Sequence, residues 1–153
     1  MPPGEYALAS RLGEAPRPTD PKRVKVHLDD LIGRAKEEGA KELVRLLADG
    51  PVRDLCMALA AHSAFLWQLA LLDPARLERL LTQDPQHSHA EIVSAQARLF
   101  EGLRDGSMGR AEIMRRMRVN RAAHALLVAL CDIGGVWSLE EVTQALSGFA
   151  DAS

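Results

Sequence analysis

Apolar residues recur along this chain at the spacing of helical turns. Leu28, Leu31, Ile32 and Ala35 fall at i, i+3, i+4 and i+7, and Leu43, Val44 and Leu47 resume the stripe beyond Gly39. This pattern predicts one interrupted helix or two short ones. Gly50-Pro51 restarts the chain, with proline at a first helical position where its missing N–H is no loss, and Val52, Leu55, Cys56, Leu59 and Ala60 share the next face. Ser63 can cap a short run in which Phe65, Leu66, Leu69 and Leu72 are apolar. Asp73-Pro74 then offers an N-cap and a first-turn proline for Leu77, Leu80 and Leu81.

Ser88 and Glu91 have capping-box spacing, so each side chain can satisfy a backbone N–H left orphaned at a helix start. Ile92, Leu99, Phe100 and Leu103 form the stripe of the helix predicted there. A loop through Gly106 and Gly109 leads into the longest pattern, Arg110 to Asp132, amphipathic at first and apolar almost all round from Ala122 to Cys131. Gly134-Gly135 ends it, because glycine accepts the left-handed C-terminal conformation. Ser138 and Glu141 make a second capping box, with Trp137 and Val142 placed to staple across it, and Leu139, Val142, Leu146 and Phe149 line the last helix. Neither a strand alternation nor a repeat at fixed period competes with these signals. The expected fold is all-α, an irregular bundle of about six or seven helices.

Ahead of the first stripe, Pro2, Pro3, Pro16, Pro18 and Pro21 alternate with Gly4, Gly13 and charges, a composition poor in backbone donors and in apolar anchors. Residues 1–21 are therefore expected to form a disordered, mobile leader, and 22–153 a single helical domain. Leu and Ala dominate an apolar fraction of 47%, while aromatics supply only 4%, which favours helices over strands.

A formal net charge of -2 leaves no global electrostatic footprint for nucleic acid or an anionic membrane. No segment offers about twenty apolar residues, and the N-terminus lacks the apolar core of a secretion signal. Cys56 and Cys131 each sit in an apolar run, where a buried small hydrophobe is the simplest reading. With no disulfide framework, a reducing cytoplasmic location is expected.

Candidate chemistry is sparse. Gly106-Ser107-Met108-Gly109 lacks the lysine of a phosphate-binding loop, and the adjacent Asp29 and Asp30 point about 100° apart on a helix rather than toward one metal. His87 and His89 flank Ser88 near Asp84, but no fourth ligand accompanies them. His62 and His124 lie beside apolar faces, as partly buried, hydrogen-bonded histidines do. No serine or cysteine has a local base and orienting acid. Neither a catalytic nor a metal-binding residue is expected.

The most unusual local feature is basic: Arg110, Arg115, Arg116, Arg118 and Arg121, with Glu112 four residues ahead of Arg116. A solvated helix face accounts for it. The functional reading is that Arg115, Arg116, Arg118 and Arg121 contact an acidic partner or a phosphate-bearing ligand, to which guanidinium presents a planar fork. Nucleic acid is not expected, since no aromatic residues interleave to stack on bases.

Three stretches are distinctive in combination. They are Arg115-Arg116-Met117-Arg118-Val119-Asn120-Arg121, then Asp132-Ile133-Gly134-Gly135-Val136-Trp137, then Ser138-Leu139-Glu140-Glu141-Val142-Thr143 with Phe149-Ala150-Asp151. Together they resemble the bifunctional glutamine synthetase adenylyltransferase/adenylyl-removing family of bacterial nitrogen regulation. Upstream, Ser63-Ala64-Phe65-Leu66 and Leu71-Leu72-Asp73-Pro74 resemble the same family, so the likeness runs from Pro51 to Ala152.

The resemblance implies a helical N-terminal region standing ahead of a nucleotidyltransferase domain in a much longer polypeptide. In such a polypeptide one catalytic domain removes AMP from a tyrosine of glutamine synthetase by phosphorolysis and a second attaches it from ATP. Mg and ATP are the cofactors implied for the full-length enzyme, with none in this chain. Glutamine synthetase and the PII signalling protein are the implied partners, together with the missing nucleotidyltransferase domain. The family's catalytic signature, Gly-Ser followed by Asp-x-Asp, does not occur here, so no catalytic residue carries over. The chain is expected to be a fragment without catalysis of its own. The competing expectation is a free-standing helical interaction module that uses its Arg-rich face.

Overall fold

Proline sets half of the helix starts, and aspartate caps three of these. In the computed structural model, which describes residues 4–152, the α-helices are α1 Pro21–Glu37, α2 Lys41–Ala48, α3 Pro51–His62, α4 Ala64–Leu72, α5 Pro74–Thr82, α6 Pro85–Asp105, α7 Arg110–Ile133 and α8 Leu139–Ala152. Prolines open α1, α3, α5 and α6. Side-chain oxygens of Asp20, Ser63, Asp73 and Asp84 accept from backbone N–H groups in the first turns of α1, α4, α5 and α6. The described residues contain no strand, so the fold is all-α as the periodicity predicts. The helices number eight rather than six or seven because Gly39, at φ 75°, divides α1 from α2.

One expected cap is replaced. The helix predicted to start at Ser88 begins at Pro85, and Asp84 accepts from the Gln86 N–H at 3.0 Å. Ser88 is buried inside α6 and its hydroxyl donates to Gln83 Oε1 at 3.2 Å, while Glu91 turns outward to His87. Asp84-Pro85 prevails because proline is pre-set for the first helical position and aspartate caps it. The second box forms as expected: Ser138 N–H donates to Glu141 Oε1 at 3.0 Å and Glu141 N–H to Ser138 Oγ at 3.2 Å. Trp137 and Val142 are both buried beside it.

The second half of α7 is the centre of the core. Leu126, Leu127, Leu130 and Cys131 have no exposed surface, and α3, α4 and α8 pack around them. Leu28, Leu31, Leu43, Leu47, Leu55 and Leu59 extend the same cluster through α1 to α3. Most of the stabilisation is thus leucine burial, each side chain contributing roughly 1.5–3 kcal/mol on leaving water. At the far end of the α6–α7 hairpin a small second cluster joins Leu99, Ile113 and Met117.

Part of the leader departs from expectation. Ala7 and Leu8 are buried, and a single 3₁₀ turn spans Leu8–Ser10. The Leu8 N–H donates to Gln83 O at 3.0 Å, and the Gly13 N–H donates to Gly134 O at 2.8 Å. The Ala7-Leu8 pair supplies the apolar anchor that the proline content conceals, and loop carbonyls supply backbone acceptors. Pro2 and Pro3, also read as leader, lie outside the described residues. Gly135, at φ 68°, terminates α7 with Val136 N–H donating to Cys131 O at 2.9 Å, the turn against which Gly13 is held.

Candidate functional site

The arginines of α7 are partly neutralised within their own helix. Glu112 Oε1 accepts from Arg115 Nη2 at 2.8 Å and from Arg116 Nε at 2.8 Å, and its Oε2 accepts from Arg115 Nε at 3.1 Å. The side-chain hydrogen bonds from Arg115, then Arg116, hold the Glu112 carboxyl down at about 2, and the same contact raises the Arg115 pKa. All three groups lie at the surface, where solvent screens such pairs.

Helical geometry separates the four candidate arginines. Arg115 and Arg116 line an open groove of about 1020 Å³ between α5, α6 and α7. Arg118 and Arg121 are exposed on a different face of α7 and do not reach it. In their place the fold brings Arg76 and Arg79 from α5 and Arg98 from α6. Sequence spacing misses these three because they converge only through tertiary packing. A helical wheel of α7, however, already puts Arg121 roughly opposite the face of Arg115, Arg116 and Val119.

Arg76 is the most constrained of the group. Only 4% exposed, it donates from Nη2 to Leu69 O at 2.9 Å, while its buried Nε has no hydrogen-bond partner among the described residues. Burial lowers its pKa, against the attraction of Asp73. Arg79 and Arg98 are exposed and form no ion pair among the described residues. The groove also holds two carboxylates, Asp73 and Glu91, the latter 2.9 Å from His87 Nε2. Its floor includes Ile92, Leu99, Ala123 and Val119, and Val119 is 48% exposed.

Beneath the groove, α6 and α7 are joined by polar contacts. Asn120 Nδ2 donates to Ile92 O and to Gln96 Oε1, both at 3.0 Å, with Gln96 fully buried. Further along, His89 Nε2 and His124 Nε2 both lie against Ala145 O of α8, at 3.2 and 3.3 Å. Phe149 stacks on His124 at 4.1 Å, and burial lowers the pKa of this imidazole. His124 is thus the buried, hydrogen-bonded histidine that its apolar surroundings suggest. His89, in contrast, points away from His87 and serves helix packing.

Cys56 and Cys131 are free and buried, and burial pushes both thiols up to about 12, which suppresses the nucleophilic thiolate. Among the described residues no three His, Cys, Asp or Glu side chains gather as a metal-binding group. No helix formed by them is long and apolar enough to cross a membrane.

Comparison with known proteins identifies the family. A sequence model of the glutamate-ammonia ligase adenylyltransferase family matches residues 53–153. Curated relatives named bifunctional glutamine synthetase adenylyltransferase/adenylyl-removing enzyme align along nearly the whole chain. The relative from Bradyrhizobium diazoefficiens is 38% identical over 151 residues, covering 96% of this chain and 14% of the relative. That from Bradyrhizobium sp. strain BTAi1 is 35% identical over 144 residues, covering 94% and 14%, and that from Xanthobacter autotrophicus 35% over 148, covering 96% and 14%. No solved structure matches. The chain spans about 14% of the length of these relatives, and by both the family match and their identity it belongs to the glutamate-ammonia ligase adenylyltransferase family.

Proposed function

We propose that this chain acts as the N-terminal helical segment of a bifunctional glutamine synthetase adenylyltransferase/adenylyl-removing enzyme, packing beside a nucleotidyltransferase domain and performing no chemistry alone. The observation that carries this reading is coverage: identity of 34–38% runs through 94–98% of the chain yet reaches only 14–15% of the first three relatives. The absence of Gly-Ser followed by Asp-x-Asp in the sequence supports the non-catalytic part. In this reading the longer enzyme regulates glutamine synthetase in nitrogen assimilation. Mg and ATP belong to the domains that carry the signature, and PII acts on the whole enzyme in the cytoplasm.

The test is enzymatic. The purified chain is incubated with adenylylated glutamine synthetase, inorganic phosphate and Mg, and product nucleotide is followed by chromatography. No ADP is expected above the protein-free control. Reproducible ADP formation would overturn the non-catalytic assignment.

A further inference from the structure

The groove between α5, α6 and α7 has arginines toward both ends and a mixed apolar and polar middle. Arg76 and Arg79, with Asp73, lie on α5, which joins the start of α6 through Gln83-Asp84, whereas Arg98 lies further along α6 and the contacts of Asn120 with Ile92 and Gln96 set Arg115 and Arg116 beside it. Five guanidiniums distributed in this way do not converge on one phosphate, which needs its donors within a few ångströms of a single point. Between the ends lie Ile92, Ala95 and the half-exposed Val119, with Ser94 and Asn120 beside them.

We infer that this groove docks an acidic amphipathic helix supplied from outside these 153 residues, with carboxylates toward both of its ends and apolar side chains between them. Charge complementarity identifies the occupant. The groove carries five arginines against the carboxylates of Asp73 and Glu91, in a chain whose formal net charge is -2. Arg76 adds a buried guanidinium that makes no ion pair among the described residues, and a carboxylate bound nearby offsets part of the cost of burying that charge. The geometry is that of a helix laid into a groove between helices, where i and i+7 positions meet the same face. Glu112 already occupies part of the guanidinium capacity of Arg115 and Arg116, so an incoming carboxylate competes with it at that end.

The probe is a capped fourteen-residue Ala/Leu helix bearing Glu at positions seven apart, titrated into the isotope-labelled chain and followed by amide shifts. Saturable shifts confined to α5, α6 and the first half of α7 are expected. Affinity should fall at least about tenfold in the Arg79→Glu/Arg98→Glu variant and severalfold between low and high salt. Both arginines are exposed, and an unchanged circular dichroism spectrum checks that the variant folds. Glu112→Gln should tighten binding. A peptide with Lys for Glu that binds equally well, or no binding by the Glu peptide, overturns the inference. So does saturation by tripolyphosphate at these residues with no binding of the peptide, which would make the groove a phosphate site. Because none of these outcomes involves AMP transfer, the inference can fail while the proposed function stands.

Discussion

Leu8 separates a docked leader from a mobile one. Its side chain has no exposed surface, although it lies within the proline-rich stretch that composition marks as unstructured. Truncation to alanine removes the branched end of the side chain and leaves the backbone bond from the Leu8 N–H to Gln83 O in place. At a wholly buried site Leu→Ala costs roughly 2–5 kcal/mol, from lost transfer energy plus the cavity. The segment around Leu8 is held only by a 3₁₀ turn and can shift inward to fill part of that space, so a value near the lower end, about 2–3 kcal/mol, is expected. For a protein of this size it lowers Tm by about 4–12 °C. Urea unfolding of the wild type and Leu8→Ala should show a lower midpoint at unchanged slope. Tyr6→Ala, at a residue 68% exposed, is the control and should stay within about 0.5 kcal/mol. A Leu8→Ala loss below about 0.5 kcal/mol, together with an unprotected Leu8 amide in hydrogen exchange, would refute the docking.

Gly134→Ala would set a methyl 2.6 Å from Leu12 Cδ2 and 2.7 Å from Leu130 O, so a loss of about 1–3 kcal/mol is expected; adding Leu12→Ala should recover part of it in a double-mutant cycle by urea unfolding. Ser138→Ala and Asp84→Ala each remove a working cap and should cost about 1 kcal/mol, whereas Glu91→Ala, which breaks only a surface contact to His87, should change unfolding by less than about 0.5 kcal/mol. Burial keeps the His124 imidazole below its ordinary 6.5, so the unfolded chain binds more protons just under that pH. The contribution of His124 is complete above about 6.5 and is lost as pH falls from there through its folded value; unfolding at pH 7.5 and 5.5 should show this, with a smaller difference in His124→Asn.

What the sequence reveals is what neighbouring residues decide. Asp73-Pro74, Ser63 and the Ser138/Glu141 box act within one turn, and each forms where its spacing places it. Ser88 and Glu91 have equally good spacing, but a stronger start four residues upstream takes over and leaves Ser88 inside the helix. Leu8 is illegible for a different reason: a lone buried leucine has no period, and its partner Gln83 lies 75 residues away. The basic site divides similarly. Arg115 and Arg116 are conspicuous in the sequence, while Arg76, Arg79 and Arg98 join them only when α5 packs beside the α6–α7 pair.

The two backbone bonds of the leader also constrain when the molecule can close. Gly13 meets Gly134, a separation of 121 residues, so its acceptor does not exist until that further length of chain has been made. At roughly 5–20 residues per second on a ribosome, the donor waits on the order of ten seconds. During that interval Leu8 and the surfaces it will cover are both accessible to other chains and to proteases. The segment around Gly13 is therefore made well before it can be secured, and the time for which nascent chains stay vulnerable there is set by translation speed as much as by stability.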